Sequence, residues 1–214
     1  MIGVYDYTVI ATYLATAFGI CGMLQAIEEY PLAAVICLLA AGLLDTVDGR
    51  IARTKKNRTE TEKGFGIQID SLNDVMCFGA LPALAAYVLA KEWLDKVPAW
   101  YIVILIFFAL AGLIRLAYFN VTEEERQRNS AEPRKYYLGL PITSSTLLFP
   151  LLYLLTLLPE SGVTSAVIMA AGLLVIGVLY IAPIHIRKPQ LPGLAVMGAV
   201  GAAEVAVLVA QLVK

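Results

Sequence analysis

Long apolar segments alternate with short polar breaks along the chain. The breaks carry charge, proline or glycine, as in EEYP at residues 28–31 and KEWLDKVP at residues 91–98. Because a helix needs about 20 mainly apolar residues to cross a membrane, the pattern predicts a series of spanning helices. We place these spans at about 7–27, 31–53, 66–90, 98–120, 138–158, 163–185 and 192–213.

The amino-acid composition agrees with a membrane location. Hydrophobic residues make up 59% of the 214 residues and charged residues only 15%, whereas soluble domains carry about 25% charged residues. The mean hydropathy is +0.76. We therefore expect an all-α integral membrane protein in which residues 1–214 form a single membrane domain. The net charge of -1, without a basic patch beyond the membrane flanks, gives no reason to expect a nucleic-acid partner.

Lysine and arginine are unequally divided between the two predicted sides of the membrane. One side holds 13 of the 16 basic residues, and the other holds only Lys91, Lys96 and Lys214. Because cytoplasmic loops are enriched in Lys and Arg, the richer side is predicted to face the cytoplasm of the cell. Its basic residues are Arg50, Arg53, Lys55, Lys56, Arg58, Lys63, Arg115, Arg126, Arg128, Arg134, Lys135, Arg187 and Lys188.

Four aspartates lie near the predicted cytoplasmic ends of the second and third spans. Asp45 and Asp48 are three residues apart, and Asp70 and Asp74 are four apart. Residues at these spacings share one face of a helix, and consecutive antiparallel helices can bring two such faces together. Acidic residues inside membranes are costly, so the set indicates a functional site rather than ordinary helix ends. The helix dipole does not account for Asp45, which precedes a predicted helix C-terminus.

Carboxylate oxygens suit hard divalent cations such as Mg²⁺ or Mn²⁺. Two such ions would remove the repulsion among the aspartates and can clamp a phosphoryl group during in-line displacement. Arg53 could bind phosphate oxygens. Small residues nearby would let a nucleotide or a neighbouring helix approach the backbone closely. These small residues are Gly49, Ala52 and Gly66.

The stretches DTVDGRIAR (45–53) and GIQIDSLND (66–74) resemble the signature of the CDP-alcohol phosphatidyltransferase family, D-x2-D-G-x2-A-R followed by G-x3-D-x3-D. Every fixed position is matched. The twelve residues between Arg53 and Gly66 form a longer spacer than is usual in the family. The resemblance implies a homodimer with a six-helix core, to which the seventh predicted span is an addition.

The resemblance also implies a reaction, in which an alcohol attacks the lipid-side phosphorus of a CDP-lipid and CMP leaves. Asp45 and Asp70 would each bridge two divalent metal ions, Mg²⁺ or Mn²⁺. Asp48 would bind the first ion, and Asp74 would bind the second and act as the general base. The residues expected to contact the CDP-lipid are Gly49, Ala52, Arg53 and Gly66.

The flanking segments resemble the phosphatidylserine synthase branch of the family. They are SLNDVMCFGALPA (71–83), GLIRLAYFN (112–120) and YYLGLPIT (136–143). This likeness implies L-serine as the acceptor and CDP-diacylglycerol, or an archaeal-type CDP-lipid, as the donor. Glycerol phosphate, inositol phosphate or another small alcohol is the alternative acceptor.

Three further residues are candidates for an acceptor or phosphate pocket. They are Arg115, Asn73 and Thr143. Alternatively, Arg115 could extend its charged group to the membrane interface, Asn73 could cap the local helix, and Thr143 could belong to an ordinary helix start.

A divalent-cation transporter is a different class of function that acidic helices also fit. The clustering of the acids at one side of the membrane argues against it, because a transport path needs acids across the membrane.

Overall fold

The computed structural model describes residues 2–129, 136–188 and 191–212. Over these residues the chain is almost entirely helical, with one two-stranded sheet. The helices are α1 (Tyr7–Ile27), α2 (Pro31–Thr54), α3 (Glu60–Trp93), α4 (Ala99–Asn129), α5 (Ile142–Thr156), α6 (Gly162–Ile181) and α7 (Leu191–Leu212). Among the described residues, five of these helices are long and apolar enough to cross a membrane, namely α1, α2, α3, α4 and α6.

The prediction of an all-α membrane protein is confirmed. α1 has the predicted bounds, whereas α4 continues beyond residue 120 to Asn129 through polar sequence. The seventh predicted span, 192–213, corresponds to α7. Its last residue, Val213, lies outside the described residues. Arg134, Lys135 and Lys214, which contribute to the predicted orientation, also lie outside them.

Two side-chain caps and a proline mark the starts of the first three helices. Asp6 caps α1 by accepting a hydrogen bond from the Thr8 N–H at 2.9 Å. Pro31 occupies the first turn of α2, where its missing N–H has no consequence. Thr59 and Glu62 form a capping box, in which each side chain accepts from the other residue's backbone N–H. This box starts α3 within polar sequence, before the predicted start at residue 66.

The predicted span at 138–158 is wrong at its beginning. Residues Tyr136–Leu138 form a strand, β1, and α-helical structure starts only at Ser145. Gly139 separates the two with a φ of 72°, and a Cβ there would collide with the carbonyl oxygen of Tyr180. Only glycine fits this turn, and the chain changes direction before the helix begins.

The predicted span at 163–185 is wrong at its end. α6 stops at Ile181, ahead of Pro183, which disfavours helical geometry in the preceding residue. The next residues, His185–Arg187, form β2, which pairs antiparallel with β1. Because hydrophobicity alone does not distinguish a short strand from a helix end, the apolar pattern extended both spans too far.

α3 contains an irregular turn next to Asp74. Residues Val75–Ala80 form a π-helical segment, a rare structure that often occurs at functional sites. Just beyond it, Pro82 lacks the N–H that would bond to the Phe78 carbonyl in an α-helix. The buried Ser145 hydroxyl donates to that carbonyl at 2.9 Å. The segment therefore couples α3 to the start of α5.

Glycines allow the helices to approach one another closely. A Cβ at Gly42 would collide with Thr146, and one at Gly19 would collide with the Cys77 sulfur. α2 thus contacts α5, and α1 contacts α3, at distances that a larger side chain would prevent. Large buried aromatic side chains fill the space between other helices. They include Phe78, Tyr101, Phe108, Phe149 and Tyr180.

Candidate active site

Three carboxylates converge between α2 and α3. One oxygen each from Asp45, Asp70 and Asp74 lies within 4.8 Å of the other two. Asp74 is buried, and Asp45 and Asp70 are half-buried. The helical spacing accounts for this arrangement, because positions 70 and 74 face the same side of α3 and its neighbour α2 presents position 45.

This donor set fits a divalent cation. The Oδ1 atoms of Asp70 and Asp74 are buried and have no hydrogen-bond partner among the described residues. Burying unpaired carboxylates side by side is unfavourable, and a bound cation would compensate for both the repulsion and the missing hydrogen bonds. Ligands that are all oxygen suit Mg²⁺ or Mn²⁺. The cluster could therefore hold a metal ion.

Asp48 lies almost one helical turn beyond Asp45 and is oriented by α1. Its Oδ2 accepts a hydrogen bond from the buried Thr12 hydroxyl at 2.9 Å. The Asp48 side chain lines a small cavity together with Asp70. Thr12 thus supports a carboxylate at the edge of the cluster, in the way that outer residues commonly orient metal ligands.

The small cavity has a volume of about 170 Å³. It brings together the four residues predicted to contact a CDP-lipid, which are Gly49, Ala52, Arg53 and Gly66. Nη1 of Arg53 lies 3.4 Å from the position that a Cβ at residue 49 would take, so the guanidinium lies beside Gly49 at an ordinary contact distance. Arg58 and Lys63 add two further cations to the wall. Basic groups beside carboxylates suit a phosphate bound together with a divalent cation.

An ionic network holds the loop between α2 and α3. The Lys55 ammonium contacts Asp6 Oδ2 at 2.6 Å and Glu62 Oε1 at 2.7 Å. Hydrogen bonds from Lys55, and then from Thr8, lower the pKa of Asp6 to about 2. The carboxylates of Asp6 and Glu62, in turn, raise the pKa of Lys55. The network thus ties the loop to the start of α1.

A larger cavity of about 1030 Å³ has Asp70 and Asp74 in its wall. Arg115 and Thr143, two of the residues predicted for an acceptor or phosphate pocket, line it as well. Asp70 therefore lies in the walls of both cavities. Two molecules bound in the two cavities would meet at the carboxylate cluster.

The structure separates Asn73 from these pocket residues. Its Oδ1 accepts hydrogen bonds from the Thr16 hydroxyl at 2.9 Å and from the Cys77 thiol at 3.2 Å. The side chain is 1% exposed and lines neither of the two cavities. Asn73 therefore packs toward α1, where it helps to hold α3 in place.

Cationic and polar groups shape the rest of the large cavity. The Arg115 guanidinium carbon lies 5.0 Å from the ring centre of Phe119 and 5.8 Å from that of Tyr137. On the adjacent wall, the Asn120 amide donates to the Ser71 hydroxyl at 2.7 Å. A buried arginine between aromatic rings, with polar side chains nearby, suits a small polar or anionic molecule.

A family model for CDP-alcohol phosphatidyltransferases matches residues 7–184 of the 214-residue chain. The chain belongs to the CDP-alcohol phosphatidyltransferase family. The resemblance carried by the signature is thus confirmed, and the match includes all four aspartates. α7 lies beyond the part that matches the CDP-alcohol phosphatidyltransferase model.

Several curated members of the CDP-alcohol phosphatidyltransferase family are similar to this chain. The CDP-diacylglycerol–serine O-phosphatidyltransferase of Mycobacterium tuberculosis is 33% identical over 130 residues, which cover 61% of this chain and 42% of that protein. The Helicobacter pylori protein of the same name is 35% identical over 118 residues, covering 55% and 44%. An archaetidylserine synthase from Methanothermobacter thermautotrophicus is 32% identical over 169 residues, covering 78% and 66%. The chain spans less than half the length of the first two relatives.

The sequence patterns missed three residues of this site. Thr12 looks like any threonine in an apolar segment, and only the packing of α1 against α2 directs it to Asp48. Arg58 and Lys63 appeared as ordinary basic residues at the membrane flank, whereas the loop and the first turn of α3 turn them toward the small cavity. The capping box at the start of α3 is the sequence signal that could have indicated the course of this loop.

Proposed function

We propose that the chain transfers a phosphatidyl group from a CDP-lipid of the CDP-diacylglycerol type to L-serine, giving a phosphatidylserine-type lipid and CMP. The observation that carries this proposal is Asp70, which lies in the walls of both cavities beside Asp45 and Asp74. A donor in the small cavity and an acceptor in the large one would meet there. Family membership and the serine-specific names of the relatives support the same reaction.

The small cavity would bind the CDP part of the donor. The Arg53 guanidinium can bind two diphosphate oxygens at once. Gly49 and Gly66 carry no side chain, and Ala52 carries a small one, so the nucleotide can approach the backbone of both helices. The lipid chains would extend from this position into the surrounding bilayer.

The carboxylate cluster would hold two divalent cations, Mg²⁺ or Mn²⁺. When bound, they would neutralise the diphosphate and stabilise the charge that develops on the transferred phosphoryl group. The residues holding them would be Asp45, Asp48, Asp70 and Asp74. The Thr12 hydroxyl would keep Asp48 oriented while the substrates bind and leave.

Asp74 would act as the general base. Its side chain lines the large cavity, and its buried Oδ1 has no hydrogen-bond donor among the described residues. An oxygen of this carboxylate would take the proton of the serine hydroxyl as the serine oxygen attacks the lipid-side phosphorus and the bond to CMP breaks. Arg115 and Thr143 in the same cavity would bind the carboxylate and other polar groups of the acceptor.

The proposal includes a cytoplasmic active site and a homodimer. The excess of Lys and Arg on the side of the carboxylates supports the orientation. To test the orientation, the exposed Lys56 is replaced by a single cysteine, which is then chemically modified in right-side-out and in inverted vesicles. Native mass spectrometry of the protein in detergent tests the dimer.

A transfer assay tests the activity. Purified protein is incubated with CDP-diacylglycerol, labelled L-serine and Mn²⁺ or Mg²⁺, and CMP release and lipid formation are measured. Parallel reactions with glycerol phosphate and inositol phosphate test the alternative acceptors. Chelation of the metal should abolish transfer, and added Mn²⁺ or Mg²⁺ should restore it. Metal flux through the protein in vesicles without CDP-lipid would instead favour a transporter.

The role of Asp74 is tested in the same assay. Asp74→Asn should lose turnover but still bind CDP, because the amide cannot accept the hydroxyl proton. Asp95→Asn is the matched control, since it changes an exposed carboxylate in the break between α3 and α4. Full activity in Asp74→Asn would contradict the proposed base.

A further inference from the structure

Arg58 approaches the small cavity from the loop that joins α2 to α3. It is half-buried, and its Nη2 donates to the backbone carbonyl of Glu62 at 3.0 Å. The side chain lines the cavity together with Arg53 and Asp70. It therefore lies with the residues proposed to bind the donor, although it belongs to neither half of the aspartate signature.

Gly66 makes room for the Arg58 guanidinium. A Cβ at residue 66 would lie 2.6 Å from Nη2 of Arg58, closer than such atoms can approach. Any larger residue at this position would force the guanidinium to shift. Gly66 therefore leaves space both for the Arg58 guanidinium and for the adjoining small cavity.

The Arg58 guanidinium retains an unused hydrogen-bond donor. Its Nε is buried and has no hydrogen-bond partner among the described residues. Leaving a buried donor unpaired is unfavourable, and the loss is larger for a charged group. An anionic oxygen that binds the guanidinium from the cavity would offset this penalty.

The loop that carries Arg58 is held in place before any ligand binds. Lys55 bridges Asp6 and Glu62, and the Glu62 side chain also accepts from the Thr59 N–H at 2.7 Å. The Glu62 backbone carbonyl, in turn, is the acceptor for Arg58. This preorganisation means that little conformational freedom is lost when Arg58 contacts a ligand.

We propose that Arg58 is a donor-binding residue whose guanidinium contacts an anionic oxygen of the diphosphate, opposite the carboxylates of the small cavity. The inference rests on the proposed function, because that function supplies the diphosphate. Together Arg53, Arg58 and Lys63 surround the anion with three cations, one of which comes from the loop.

Arg58→Met is the decisive variant. The KM for CDP-diacylglycerol, and the Kd for CDP measured by calorimetry with Mn²⁺, should rise by about 10-fold or more, as expected for loss of a charge-assisted hydrogen bond. The KM for the acceptor should stay unchanged. Arg58→Lys should recover part of the affinity, because it restores the charge without the planar fork. Lys56→Met is the control, since Lys56 is exposed in the same loop and lines neither cavity.

The outcomes separate this inference from the proposed function. If wild-type protein transfers serine and binds CDP while Arg58→Met retains both donor constants, the inference is wrong and the function stands. If wild-type protein neither binds CDP nor transfers to any alcohol, the proposed function itself fails. Thermal unfolding of each variant shows whether it is folded. If Arg58→Met is unfolded, Arg58→Lys decides, and donor constants equal to those of the wild type would then overturn the inference.

Discussion

Thr12 on α1 donates its hydroxyl hydrogen to Oδ2 of Asp48 on α2 at 2.9 Å, and both side chains are buried. We expect Thr12→Val to weaken metal binding, because Asp48 loses the group that orients it. Loss of such a supporting contact typically costs about 10–100-fold in metal affinity or activity. The measurement is the Mn²⁺ concentration that gives half-maximal transfer.

Thr12→Ser serves as the control for this prediction. It keeps the hydroxyl and should therefore keep the metal requirement near that of the wild type. Equal Mn²⁺ dependence in Thr12→Val and Thr12→Ser would show that the hydrogen bond has no part in metal binding.

Ser145 supplies a hydrogen bond that Pro82 cannot make. We expect Ser145→Ala to lower the free energy of unfolding by about 1–3 kcal/mol, because it removes the buried donor that faces the Phe78 carbonyl. Ser144→Ala is the control, since the Pro141 carbonyl that its hydroxyl contacts also accepts from the Ser144 backbone N–H at 3.0 Å. Thermal unfolding in detergent compares the two, and equal losses would refute the proposed coupling of α3 to α5.

Gly42 lies at a close contact between α2 and α5. Gly42→Ala should destabilise the protein by about 1–3 kcal/mol, because the added methyl group would collide with Thr146 and force the helices apart. Gly198→Ala on α7 has no atom within 4 Å of the added Cβ, so it should leave stability unchanged or raise it slightly. Melting temperatures of the Gly42→Ala and Gly198→Ala variants test this difference in stability. Equal melting temperatures would mean that α2 and α5 can shift to accept the methyl group.

The ion pair between Asp6 and Lys55 predicts a defined dependence of stability on pH. Asp6→Asn keeps an effective N-cap but removes the charge that faces Lys55. The pKa of Asp6 in the folded protein is about 2, below its ordinary value of 3.8. A carboxyl whose pKa is lowered by folding stabilises the protein above its unfolded pKa, and this contribution is lost as the pH falls through the folded pKa.

Wild-type protein should therefore melt at a higher temperature than Asp6→Asn near neutral pH. The gap should narrow progressively between about pH 4 and pH 2 and close below pH 2, because Asp6 of the folded protein is protonated as the pH falls through its pKa of about 2. Thermal unfolding monitored by tryptophan fluorescence in an acid-stable detergent gives both curves. A gap that stays constant over this range would mean that the ion pair does not stabilise the fold.

The main features of the site followed from local sequence because they depend on helical periodicity. Spacings of three and four residues place the aspartates of each helix on one face, and the consecutive helices α2 and α3 bring Asp45, Asp70 and Asp74 together. Gly49 and Arg53 belong to the same helical stretch and were predicted with them. The chemistry of the reaction centre is therefore local in sequence.

Other features depend on contacts between distant parts of the chain, which hydrophobic patterns do not record. The β1–β2 pair joins residues nearly 50 positions apart, and it replaces what looked like the ends of two spans. Asn73 shares the stretch that carries Asp70 and Asp74, yet Thr16 on α1 determines where it points. Arg58 became a candidate only when the course of its loop was known.

The π-helical segment at Val75–Ala80 has a consequence for how the protein can evolve. A π turn contains one more residue than an α turn, so everything after it is rotated by about 100° relative to a continuous α-helix. The segment therefore fixes the angle between two faces of α3, that of the carboxylates at 70 and 74 before it and the buried packing face of Leu81, Ala85 and Leu89 after it. Deletion of one residue from the segment would remove this offset and turn the carboxylates by about 100° relative to the packing face, so the length of the segment is constrained.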